Sequence, residues 1–168
     1  MNNRIKEKID EIEQFLEELE NSLPEDFVEY KTDYKLRAIG ERYFEKIIEG
    51  VVDLAFFIIK EKNSKQPEED KQAFDILAEE KIISESLAEK LIEAKGMRNI
   101  LAHEYGRIDD ELVFHSLVEE LIPDVQEFIN SLINSPKTFQ LSSVRFSDFP
   151  AYSRILLRQH FYLKRIIV

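Results

Sequence analysis

Residues 37–59 read RAIGERYFEKIIEGVVDLAFFII. Counting from Leu36, the apolar positions Ile39, Tyr43, Phe44, Ile47, Ile48, Val51, Leu54, Ala55, Ile58 and Ile59 recur at spacings of three and four. That period belongs to a helix, and the stripe is dense enough to bury more than one face, so the segment reads as the central spine of a helical bundle. Upstream, Ile5, Ile9, Ile12, Leu16 and Leu19 predict a first helix over about residues 3–21, ending before Pro24. Ser22 and Glu25 have the spacing of a capping box, which predicts that the spine helix starts there and runs to about Lys62.

Downstream, the polar run NSKQPEEDKQ marks a connection, and Ala73, Phe74, Leu77 and Ala78 predict a short third helix. Ser84 is placed to cap a fourth, with Leu87, Leu91, Ile92, Met97, Ile100 and Leu101 on its buried side and Gly106 as its stop. Asp109 is placed to cap a fifth, carrying Leu112, Val113, Leu117, Leu121, Val125, Phe128 and Ile129, with a kink expected at Pro123. The fold class is therefore all-α, an antiparallel up-and-down bundle of about five helices over residues 1–133. Residues 134–168 form a basic, aromatic C-terminal tail without clear helical period, whose structure the sequence leaves open.

Composition agrees. The 168 residues suffice for one domain with a real core, and 43% hydrophobic, 34% charged, 4 Gly and 5 Pro describe a helix-rich globular chain. Cysteine is absent, which removes disulfides, thiolate metal sites and thiol nucleophiles and fits a reducing cytoplasm. The N-terminal stretch has no apolar core and no run is long enough for a membrane span, so a soluble, intracellular protein is expected. The net charge of −11 argues against a broad electrostatic grip on nucleic acid. It is uneven: residues 134–168 carry a net +5, leaving −16 on the first 133. An acidic body of that kind can act on a polyanion through a local cationic pocket, and it would also attract a basic protein partner.

Such a pocket is suggested by GMRNILAHEYGRID, residues 96–109. At about 100° per residue, Asn99 and His103 share one helix face, and Arg98 and Tyr105 share a neighbouring one. Ala102 keeps the middle of the patch low. Arginine offers a permanent cationic fork suited to phosphate, and histidine transfers protons near neutrality, a pairing that suits phosphodiester chemistry. With RNA the nucleophile can be the substrate's own 2′-hydroxyl, so no metal and no cofactor is called for. Taken singly, Arg98 would be a salt-bridge partner, His103 a helix-end histidine and Tyr105 a core-edge residue. His115 and His160 have no partners spaced for a metal site.

Arg98, four residues, His103, one residue, Tyr105, with Asn99 after the arginine and GRID after the tyrosine, resembles the signature of the HEPN superfamily in its HepT-like branch of toxin ribonucleases. The spine at residues 37–59 is similar to the long second helix of that branch, and the likeness covers roughly residues 3–133. The resemblance implies a homodimeric, metal-independent endoribonuclease, the toxin of a toxin–antitoxin system, with a minimal nucleotidyltransferase antitoxin as partner and RNA as substrate. It implies that Arg98 and His103 are catalytic, that Asn99 supports them, and that Tyr105 receives AMP from the antitoxin. Arg98 and His103 lie about 140° apart on a straight helix, so two facing copies would enclose a phosphate better than one. The alternative reading is a non-catalytic helical partner of a nucleotidyltransferase, binding nucleotide or presenting a substrate.

Overall fold

The computed structural model describes residues 3–103 and 109–134, and every regular element among them is helical. In chain order these are α1 (Asn3–Ser22), α2 (Phe27–Thr32), α3 (Tyr34–Glu61), α4 (Asp70–Glu79), α5 (Glu85–His103), α6 (Asp110–His115), a π-helical segment (Ser116–Leu121) and α7 (Ile122–Asn134). The all-α bundle expected from the apolar period is the observed architecture. Gly106 and the tail fall outside the described residues.

Helix α3 is the spine: α1, α2, α4, α5, α6 and the π segment all pack on it. The α1 stripe of Ile5, Ile9, Ile12, Leu16 and Leu19 is fully buried, each side chain contributing on the order of 1.5–3 kcal/mol. Lys8 near the start of α1 pairs with Asp53 late in α3 at 3.2 Å, and the Tyr43 hydroxyl early in α3 donates to Glu18 late in α1 at 2.7 Å. The two helices therefore run antiparallel. Gly50 lets them approach closely, since a Cβ there would lie 2.9 Å from Ile12 Cγ1.

The expected second helix is two helices, and its start is displaced. The Ser22 hydroxyl donates back to the Glu18 carbonyl at 2.7 Å, which makes it the last residue of α1 rather than a cap. Asp26 performs the capping, accepting from Glu29 N at 2.9 Å. Asp33 then interrupts the run in an extended conformation, its backbone N–H closing α2 on Glu29 O while its carboxylate caps α3 by accepting from Lys35 N at 2.8 Å. A short side-chain acceptor competes with the helical ladder, and here that competition ends one helix and begins the next.

Just before Pro123, where a kink is expected, the structure has the π-helical segment Ser116–Leu121. Proline lacks an N–H and its ring crowds the carbonyl four residues back, at Glu119. That carbonyl lies inside the π segment, whose wider turn makes the room. Beyond it, α7 buries Val125, Phe128, Ile129 and Leu132.

Candidate functional site

Helix α5 begins where expected, with Ser84 Oγ accepting from Leu87 N at 3.1 Å. Its first half is anchored by buried Leu87, Ala88 and Leu91, and later only Leu101 is fully buried. Ile100, expected on the inner side, is 43% exposed, because it stands about 100° around the helix from Leu101. Gly96, Ile100 and His103, spaced by four and three, therefore share an uncovered stripe: nothing lies within 4 Å of a Cβ built on Gly96, and His103 is exposed.

Arg98 points a different way. Its side chain is 20% exposed and its Nη2 is paired with the Oε1 of Glu49 on α3, which is 51% exposed. Its Nη1 donates weakly to Asn99 Oδ1 at 3.4 Å, and among the described residues its buried Nε has no hydrogen-bond acceptor. Asn99 Oδ1 also accepts from Lys95 Nζ at 3.0 Å, and Lys95 pairs with Asp70 at the start of α4 at 2.9 Å. A polar chain thus runs from Asp70 through Lys95, Asn99 and Arg98 to Glu49, joining three helices. With two cationic donors on Oδ1, the amide N–H groups of Asn99 are the ones left to face a ligand.

The structure therefore joins Arg98 to Asn99 directly, and places His103 one turn beyond Asn99 at the end of α5. Tyr105 lies outside the described residues. Sequence reasoning missed Glu49, Lys95 and Asp70. The Lys95–Asn99 pair was readable from its i,i+4 spacing, whereas Glu49 is brought in only by the packing of α5 on α3. No group of three or more His, Asp or Glu side chains among the described residues is placed to hold a metal ion. A separate cleft of about 340 Å³, between α3, α5 and the π segment, is floored by Phe44, Ile48, Leu91 and Met97, and none of Arg98, Asn99 or His103 lines it.

The stretch thus offers a cationic fork joined to an amide, both suited to phosphate, and an exposed imidazole able to transfer protons one turn beyond the amide on the same helix. Comparison with known proteins gives the chain a family. A family model described as Ribonuclease HepT-like matches residues 5–132, most of the chain and nearly all of the bundle. The chain belongs to the HepT-like ribonuclease family. Among its relatives, an mRNA nuclease HepT of Shewanella oneidensis is 26% identical over 102 residues, 61% of this chain and 76% of that protein. A tRNA nuclease HepT of Aphanizomenon flos-aquae is 28% identical over 89 residues, 53% of this chain and 60% of that protein. The tri-AMPylated HEPN toxin of Shewanella oneidensis, solved in complex with its MNT antitoxin, shares the fold with a TM-score of 0.74 and 24% identity, over 80% of this chain and 100% of that one. A cytosolic protein of unknown function from Bacillus subtilis matches with a TM-score of 0.70 and 19% identity, over 85% of this chain and 94% of that one. The HepT-like membership expected from Arg98 to Tyr105 and from the spine is thus shown. Among the described residues no helix is long and apolar enough to cross a membrane.

Proposed function

We propose that this HepT-like chain is the toxin of a toxin–antitoxin pair, an endoribonuclease that cuts single-stranded RNA without metal. The observation that carries the reading is the spacing of Arg98, Asn99, His103 and Tyr105, with Arg98 held in the bundle wall and His103 exposed at the end of the same helix. In the proposed step, His103 takes the proton of a 2′-hydroxyl, which attacks the adjacent phosphorus while the bond to the 5′-oxygen breaks. That oxygen leaves with a proton from the second copy's His103. Arg98 stabilises the charge that builds on the phosphoryl oxygens, supported by Asn99. The products are a 2′,3′-cyclic phosphate and a 5′-hydroxyl.

A homodimer supplies the second histidine, and the uncovered stripe of Gly96, Ile100 and His103 is the surface on which two α5 helices would meet. The partner is a minimal nucleotidyltransferase antitoxin that adds AMP to Tyr105, placing a phosphodiester where it competes with substrate for Arg98. Residues 1–133 are assigned to the catalytic bundle and 134–168 to a separate tail, in a cytoplasmic protein.

The test is cleavage of single-stranded RNA by the purified full-length chain in EDTA. His103→Ala should cut at least about 100-fold more slowly with unchanged helical circular dichroism. Full activity in that variant, or activity lost in EDTA and restored by magnesium, refutes the mechanism. Incubation with ATP and the nucleotidyltransferase should add AMP to wild type but not to Tyr105→Phe. The net charge of −11 favours the non-catalytic reading, which requires that the wild type cut nothing in the same assay.

A further inference from the structure

We infer that Glu49 is a positioning residue for Arg98, holding the guanidinium in its working orientation while weakening the site's grip on RNA in the ground state; this rests on the ribonuclease reading. Arg98 is tethered at two corners, Nη2 on Glu49 from α3 and Nη1 on Asn99 of its own helix. Lys95 and Asp70 fix Asn99 in turn. The fork is therefore oriented by the bundle before any ligand arrives, and a fork held in place loses less freedom when it meets a phosphate.

The tether has a second effect. Glu49 is half exposed and puts a full negative charge against the guanidinium that is to receive the phosphate. An approaching phosphodiester meets a cation already partly neutralised and a carboxylate that repels it. The hydrogen bonding of Arg98 is not saturated, since its Nε has no acceptor among the described residues. That Nε is buried, so a phosphate meets the guanidinium at its Nη groups, beside the Glu49 carboxylate that keeps it in place.

Orientation and repulsion make opposite demands on the two kinetic constants. In Glu49→Gln the charge is gone and the hydrogen bond is weakened. Its kcat should fall about tenfold, from misplacement of the fork, while KM falls roughly two- to fivefold, from lost repulsion. Glu49→Asp, which keeps the charge, should return KM to the wild-type value and recover part of kcat. A merely structural role would lower the folded fraction, reducing apparent kcat and leaving KM unchanged. The companion measurement is binding of a 2′-O-methyl RNA oligonucleotide, which cannot be cleaved, by wild type, Glu49→Gln, Arg98→Met and the double variant. Tighter binding by Glu49→Gln in the wild-type background, lost in the Arg98→Met background, shows that Glu49 acts through Arg98. An unchanged kcat, a KM that rises, or equal binding effects in both backgrounds overturns the inference. A wild type that cuts no RNA defeats the ribonuclease reading instead, and the binding cycle still decides whether Glu49 acts through Arg98.

Discussion

Glu13 sits on the buried side of α1 among Ile9, Ile12 and Leu16, only 8% exposed. Burial, with a smaller contribution from the charge of Asp10, raises its carboxyl from the ordinary 4.5 to about 7. Replacing it with glutamine keeps the shape and removes the charge. Below pH 4.5 the carboxyl is protonated in both folded and unfolded chains, so wild type and Glu13→Gln should be about equally stable. Between 4.5 and 7 the unfolded chain releases the proton while the folded chain retains it, and wild-type stability declines as pH rises. Above 7 both are ionised and the deficit is complete. At about 1.36 kcal/mol per pH unit the span corresponds to roughly 3 kcal/mol, which we take as an upper figure because the amide must still be solvated in the same niche. Glu13→Gln should therefore gain about 2–3 kcal/mol at pH 8, and only a few tenths at pH 4.5. Urea denaturation followed by circular dichroism at both pH values measures this directly. Equal midpoint shifts at the two pH values, or a loss of stability at pH 8, would show that the charge of Glu13 is not the cause.

Gly50→Ala would set a Cβ 2.9 Å from Ile12 Cγ1, and the fold should lose about 1–3 kcal/mol despite the better helix propensity of alanine, seen as a lower melting midpoint. Gly96→Ala meets nothing within 4 Å and should raise the stability of the single chain by about 0.5–1 kcal/mol; if copies pair along α5, sedimentation should show weakened association of the same variant. Asp109 accepts from Glu111 N at 3.0 Å and Leu112 N at 3.4 Å, so Asp109→Ala should cost about 0.5–2 kcal/mol in chemical denaturation, and Asp109→Asn much less.

What could be read in advance followed the range of the interaction that decides it. The α1 stripe, the Ser84 and Asp109 caps and the crowding at Pro123 are settled within a turn or two of chain, and all were visible in the order of residues. The start of α2 was misread because Ser22 and Asp26 both carry side-chain oxygens suited to a cap, and the choice between them depends on where α1 ends. Ile100 reads as buried because it continues the apolar stripe of Leu87, Leu91, Ile92 and Met97. Its exposure depends on what packs against the last turns of α5. The candidate site divides in the same way. Arg98, Asn99 and His103 lie within six residues and were legible as a group, whereas Glu49 is 49 positions away from Arg98 and needed the fold.

The π segment bears on how this chain's length can vary. A wide turn holds about one residue more than the regular helix it replaces, so the phase of everything after Leu121 is set by a count as well as by residue type. Deleting one residue between 116 and 121 would let the wide turn close to a regular one and keep Val125, Phe128, Ile129 and Leu132 turned toward α5, whereas deleting one between Leu121 and Val125 would rotate those four by about 100° away from it. Sequences that share this bundle but lack the proline are free to close the turn, and a one-residue gap at that place should accompany the loss of the proline.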